Sequence, residues 1–419
     1  MSAVETGVKD VAVIGAGYVG LPLCLQLAKT GLRVLAVDID EGVVRAINER
    51  TAKVDEKEDF ERWFQDPDVR ANLRAQSTPA HADAFVIAVP TPVDHHDQRP
   101  NLAALIAASE SIVPYLRRGN LVVVESTIPP LTTSELVRPI LERGGLRVGD
   151  DISLAHCPER ILPGNIMAES VYNARVVGGI DQRSTERAAA LFATFVKGKL
   201  HLTNDRTAEF VKLIENSYRD VNIAFANQVK VLCDHLDIDP EHAIALANEH
   251  PRVQILSYGI GVGGHCIPVD PWFLIHSYPD STGLLRAARD INDCMPRRIA
   301  ARILESVKGV VNPRVVCLGA TYKPNVKDLR ESPALTVFKD VQGHLSDAVL
   351  YDPLIPEYGC DSVLSVARGA DALAILVPHD LIVTELQYRR HAILAAMRKW
   401  ATARESFERR FLSLRVPVQ

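Results

Sequence analysis

The sequence predicts an α/β protein: two doubly wound parallel-sheet domains joined by a long central helix. Three observations predict it. Short apolar runs alternate with helical patterns up to about residue 200; a stretch of purely helical period follows; a second alternating region starts near Asn312.

At 419 residues the chain is longer than one ordinary core accommodates. With 47% hydrophobic and 24% charged residues, the composition is that of a soluble globular protein. A net charge of -5 argues against nucleic acid as a partner and means that an anionic ligand needs a local basic site. There is no run of 18 apolar residues, and the first ten residues lack the basic and apolar regions of a signal peptide. A cytoplasmic protein without a membrane partner is expected. The seven cysteines show no paired or Cys/His metal spacing, so free thiols and no metal site are expected.

In chain order, VAVIG (11–15) reads as a buried strand, LPLCLQLAKTG as a helix ending at Gly31, and RVLAVD (33–38) as the next strand. AFVIAVP (84–90), LVVVEST (121–127) and RVVGG (175–179) continue the sheet, each ending in turn-forming or small polar residues. From Thr207 apolar residues recur at three- and four-residue steps for nearly thirty residues. That is a long helix, with Thr207 as its N-cap and Glu209 in its first turn; its pattern suits a spine and dimerisation surface and equally an ordinary core helix. RVVCLGATYK (314–323) then repeats the strand-then-glycine design, AVLYDPL (348–354) repeats a strand ending in Asp, and ALAILVPHD (372–380) adds another. The expected domains are 1–203, a helical region 204–305 and 306–419.

Gly15, Gly17 and Gly20, with Tyr18 and Val19 between them, follow a strand and open a helix, the context that a dinucleotide fingerprint requires. Asp38 ends the next strand and is placed to accept hydrogen bonds from a ribose, which favours NAD as the cofactor over a form carrying a 2′-phosphate. The first domain therefore reads as Rossmann-like. Pro90, Thr91 and Thr127 sit at two further strand ends on the same edge.

GIGVGGHCIPVDP (259–271) sets four glycines in six residues ahead of Cys266, bracketed by His265 and Asp270. So many glycines are costly in chain entropy unless backbone must approach something closely. Such a loop can expose a thiol, with N–H groups to stabilise an oxyanion. His95 and His96 read as a solvated loop, since adjacent histidines on an extended chain face opposite ways.

The glycine fingerprint, ESTIPP (125–130), CPER (157–160), EFVKLIEN (209–216), GVGGHCIPVDP (261–271) and YKPNVKDLRESPA (322–334) occur in the order found in the UDP-glucose/GDP-mannose dehydrogenase family. The chain resembles that family over about residues 8–380. CPERILPGN and NEHPRVQIL resemble most closely its members that act on UDP-N-acetyl-D-mannosamine.

The resemblance implies an NAD-dependent, four-electron oxidation of a UDP-sugar at C6, by way of a thiohemiacetal and a thioester on Cys266. It implies proton transfer and oxyanion stabilisation by Lys212 with Asn216, positioning of water or Lys212 by Asp270, acid/base work by Glu159, and a water or nicotinamide contact at Thr127. Arg160, Ile161, Lys212, Asn216, Arg219, Gly263, Tyr322 and Lys323 are implied nucleotide-sugar contacts. Arg330 is implied to reach toward NAD, and His250 and Arg252 to reach substrate across the interface of a homodimer or higher homo-oligomer. From Val383 to Gln419 the chain, QYRRHAILAAMRKW included, reads as a basic helix without the closing strand that the family has. UDP-N-acetylglucosamine and UDP-glucose are the alternative sugars. A one-step β-hydroxyacid dehydrogenase without a thiol, and a non-catalytic nucleotide-sugar sensor, are the alternative classes.

Overall fold

The computed structural model describes residues 7–51, 57–94, 96–161, 165–359, 362–397 and 411–413. These divide into two compact units. The first runs to Glu215 and takes in Trp272–Tyr278; the second comprises Asn216–Pro271 and the chain from Pro279 onward.

The first unit is built on eight strands: β1 (Asp10–Ile14), β2 (Arg33–Val37), β3 (Leu73–Gln76), β4 (Ala84–Ile87), β5 (Leu121–Val124), β6 (Ser153–His156), β7 (Arg175–Gly179) and β8 (Leu200–Asn204). Their order across the sheet is 3-2-1-4-5-6-7-8. All neighbours are parallel except β6 and β7, which run antiparallel. The strands are buried on both faces. Val11 and Val13 enter one apolar cluster and Ala12 and Ile14 the other, as the two-residue period of a strand requires. Ile14 pairs with Val37 and Ile87, and Ile87 with Val124, which aligns the carboxyl ends of β2, β1, β4 and β5. Chain order reverses between β1 and β4, and in such sheets ligands bind outside the carboxyl ends at that point.

The second unit holds a smaller sheet of β9 (Arg314–Leu318), β10 (Asp347–Tyr351), β11 (Ala372–Ile375) and β12 (Phe411–Ser413), ordered 10-9-11-12 and parallel throughout. Val315 and Cys317 face one core and Val316 and Leu318 the other. Strand β12 corrects the reading of the tail as helix alone. Helices Asp380–Tyr388 and Arg390–Ala396 are present, but Phe411 then pairs with Leu373 and closes the sheet. Three residues are too short a run to register as a strand inside an Arg-rich sequence.

The long helix spans Asp205–Leu236, starting ahead of the expected cap Thr207. The Asn204 side chain accepts the Thr207 N–H (2.8 Å), three residues on, and so does the capping. No helix among the described residues is long and apolar enough to cross a membrane.

A buried polar network fastens the second unit. Arg289 donates to Asp220 (2.6 Å) and pairs with Asp293 one helical turn away. Asn292 donates to the Asp220 carboxylate (2.8 Å) and receives a hydrogen bond from Asn227 (2.9 Å). Asn227, fully buried, in turn accepts the Gly259 N–H (2.8 Å). The long helix thereby fixes the start of the loop that leads to Cys266.

Candidate active site

In the first unit Gly15 has φ +92°, and a Cβ on Gly20 would lie 1.8 Å from the Gly15 carbonyl oxygen, so both positions need glycine. A Cβ on Gly17 would meet nothing within 4 Å, which leaves the space above the turn clear. No side chain caps the helix Gly20–Lys29 that follows. Its first N–H groups and its dipole form a cradle for a pyrophosphate. Asp38 accepts the Ala16 N–H (2.9 Å) and the Asp40 N–H (2.9 Å), which locks the glycine turn to the end of β2 and keeps further carboxylate lone pairs for a ribose. Thr91 donates to the Thr127 carbonyl (2.6 Å) and Ser126 to the Val89 carbonyl (2.7 Å), which ties the β4 and β5 ends together beside Pro90. These residues fit NAD.

Farther along the same edge lies a cluster that sequence reading did not find. Arg175 is the first residue of β7, which runs back against β6. Its guanidinium meets Glu125 at 2.7 Å and Glu159 at 3.1 Å, and the rings of Phe192 and Phe195 lie 5.0 and 5.6 Å away. Arg175 and Glu125 are buried; Glu159 is nearly so. An Arg opening an otherwise apolar strand was the available signal. Arg160 is held by Glu215 (2.6 Å) and the Ala174 carbonyl (2.9 Å), an ion pair rather than an open phosphate site. Ile161 packs against the core behind it. Lys212 is half-buried on the long helix. One turn earlier, buried Glu209 accepts the N–H groups of Leu131 (2.6 Å) and Thr133 (2.7 Å), a role beyond that of a first-turn charge. Burial pushes its carboxyl up to about 7, against the pull of those donors.

In the second unit the glycine loop is bedded on the segment after β9. A Cβ on Gly263 would come within 2.7 Å of the Glu331 carbonyl, Pro333 and Tyr322, and the Gly264 N–H donates to the Arg330 carbonyl (3.1 Å). Cys266 is half-buried, whereas Cys24, Cys157, Cys233 and Cys317 are buried. The Cys266 carbonyl accepts the N–H groups of Val269 (3.0 Å) and Asp270 (2.8 Å), which sets the thiol one turn before the helix Asp270–Ser277. Asn216 donates to Asp270 at 2.5 Å, so these two candidates are brought together. Burial, reinforced by the negative charges of Asp328 and Cys266, pushes the Tyr322 hydroxyl up to about 12. It therefore stays a hydrogen-bond donor beside the thiol. Lys323 is half-buried next to it, and Arg330 is paired with Asp328 (2.6 Å). Arg219 is half-buried; His250 and Arg252 are exposed. His95 lies outside the described residues, and His96 closes a turn on Asp94.

His379 is a further residue that sequence reading missed. Fully buried, it accepts the Asn325 N–H at Nδ1 (2.9 Å), so Nε2 carries the proton toward Asp352 (2.9 Å). Asp352 also accepts the Ala320 N–H (2.7 Å), as Asp38 does from Ala16 in the first unit. With both of these partners the second carboxylate is committed to holding the loop that carries Tyr322 and Lys323.

A doubly wound sheet with a glycine turn and a terminal acid at its switch point defines the class, an NAD-dependent dehydrogenase. Models of the UDP-glucose/GDP-mannose dehydrogenase family match the chain three times: the NAD binding domain over residues 9–196, the central domain over 206–294 and the UDP binding domain over 316–399. The chain belongs to this family. A UDP-N-acetyl-D-mannosamine dehydrogenase of Methanocaldococcus jannaschii is 43% identical over 376 residues, 89% of this chain and 86% of that one. An NDP-N-acetyl-D-galactosaminuronic acid dehydrogenase of Ralstonia solanacearum is 40% identical over 361 residues, 84% of this chain and 85% of that one. Among solved structures, a UDP-D-ManNAc dehydrogenase from Pyrococcus horikoshii superposes with a TM-score of 0.87 at 38% identity, covering 93% of each chain.

Proposed function

We propose that this NAD-dependent UDP-sugar dehydrogenase oxidises C6 of UDP-N-acetyl-D-mannosamine to the carboxylate, giving UDP-N-acetyl-D-mannosaminuronate for polysaccharide synthesis. The observation that carries the chemistry is Cys266: a half-buried thiol on a glycine loop, one turn before a helix, beside a tyrosine that keeps its proton. The names of the Methanocaldococcus and Pyrococcus relatives support the sugar.

Bound NAD would accept the electrons of both oxidation steps. Cys266 captures the C6 aldehyde as a thiohemiacetal and holds the carbon as a thioester until water releases the acid. Lys212 with Asn216 takes the hydroxyl proton and steadies the developing oxyanion. Asp270 holds the Asn216 amide in place, Thr127 holds a water or the nicotinamide, and Glu159 serves as acid/base in thioester hydrolysis. Arg219, Lys323 and Tyr322 contact the nucleotide diphosphate, with Arg160, Ile161 and Gly263 shaping the sugar site. Arg330 reaches toward NAD. The free thiols among the described cysteines support a reducing compartment, the cytoplasm.

The test is comparative turnover. kcat/KM is expected to be highest for UDP-N-acetyl-D-mannosamine, by roughly 10-fold or more over its C2 epimer with the gluco configuration, the galacto isomer and UDP-glucose, because a site that pairs with one C2 group leaves its polar atoms unsatisfied by another. Preference for the galacto isomer, which the Ralstonia relative makes the second reading, would overturn the sugar and leave the chemistry.

A second copy of the chain is the proposed partner. Tyr218, Phe225, Leu232 and Leu236 lie exposed on the long helix at steps of seven, seven and four, a stripe that matches itself about a two-fold axis. His250 and Arg252 are assigned to the partner's substrate. Light scattering on Leu232→Glu is expected to give the mass of one chain where the unaltered protein gives two; a monomeric parent would refute the pairing.

A further inference from the structure

Two carboxylates and one guanidinium sit just past the ends of β5 and β6 and at the start of β7. Arg175 bridges them, at 2.7 Å from Glu125 and 3.1 Å from Glu159; the side chains are 4%, 0% and 14% exposed respectively. Fully ionised, the group would carry one uncompensated negative charge out of water, and buried charge without a partner is expensive. The other neighbours give no relief. Cys24, on the helix after the glycine turn, and Cys157, after β6, are thiols that burial pushes up, so they stay neutral. His156 is buried and held down at about 3, so it is neutral too. Arg175 is the cation of the cluster. One oxygen of Glu125 touches Arg175, while the other is buried and receives no hydrogen bond from the described residues. Glu159, by contrast, spends its second oxygen on the Arg160 N–H (2.6 Å), a contact that needs an unprotonated oxygen.

We propose that Glu125 is a positioning residue: in the resting protein it holds a proton, so that Arg175 is left to neutralise Glu159 and keeps that carboxylate ionised and aimed. The pair then holds one proton between two carboxylates, with the buried member as the acid and the less buried one as the base. The upward push of burial on Glu125, to about 8, agrees with this division, Arg175 pulling the other way and Glu159 adding to the rise. The inference rests on the reading of Glu159 as the acid/base of thioester hydrolysis.

Infrared difference spectra of the whole protein between pH 6 and pH 9 test it without turnover. The parent is expected to lose carbonyl bands of protonated carboxylic acids as pH rises, from Glu125 and from Glu209, which burial also raises, to about 7. Glu125→Gln, which keeps an oxygen toward Arg175, is expected to lack the Glu125 band, which the difference between parent and variant isolates. Glu159→Gln is expected to lack it as well, because Glu125 then has Arg175 to itself and ionises. Absence of the band from the parent overturns the proposal, and so does its persistence in Glu159→Gln, which would show burial alone protonating Glu125. In kinetics, Glu125→Gln is expected to keep the acid limb of the kcat profile and lose the alkaline inflection; an unchanged alkaline inflection also counts against the proposal. Full acid production by Glu159→Gln would instead refute the role of Glu159, whatever the spectra show.

Discussion

Cys266→Ala is expected to abolish formation of the sugar acid, with kcat falling by about 10³-fold or more while the fold and NAD binding persist. The thiol is the group to which the C6 aldehyde is attached in the proposed sequence, and no other described cysteine can replace it. Cys157 and Cys317 are buried thiols pushed up to about 12, Cys24 is raised further, Cys233 is buried in the long helix, and Cys294, though exposed, lies inside the helix Gly283–Ser306 and not on a glycine loop. The contacts that hold the 266–270 turn are made by the Cys266 carbonyl, which alanine keeps. Product analysis by mass spectrometry is the check, with a melting curve to show that the variant is folded. Acid formation at the parent rate would remove the thiol from the chemistry.

The largest effect on stability is expected at Arg289. Its side chain is 2% exposed and faces Asp220, which is 1% exposed, so methionine would leave a buried carboxylate without its cation. Breaking such a pair from one side costs roughly 3–5 kcal/mol, or on the order of 10 °C in the melting temperature of a unit this size. The loss should not stop at stability. Asn292 and Asn227 relay from Asp220 to the Gly259 N–H, so a slack network loosens the entry to the thiol loop. Arg289→Met/Asp220→Leu, which removes both charges, is expected to recover part of the stability. Calorimetry checks both, and a single variant that melts within a degree of the parent would show that the pair carries little.

Much of this architecture can be read from the chain because buried parallel strands write themselves as apolar runs. DVAVI, RVLAV, AFVI and LVVV are such runs, and the first sheet places them side by side. Strands β3 (LRAQ) and β8 (LHLTN) escape because they are the two edges of that sheet, where partly exposed residues break the pattern. The motifs around Gly15 and Cys266 are legible for a different reason. Each needs backbone so close to its surroundings that only glycine fits, and glycine spacing survives in one dimension. The Arg175 and Arg289 clusters are illegible because their partners lie 50 and 69 residues away and meet only when strands or helices pack. His379 is hidden in the same way, since its loop partner is 54 residues upstream.

The most direct measurement is the ratio of NADH formed to UDP-sugar consumed in a reaction run to completion. A thiol that retains the aldehyde for a second oxidation predicts two NADH per UDP-sugar, a uronic acid as the product and no aldehyde in solution. One NADH per UDP-sugar, with a carbonyl compound released, would contradict it.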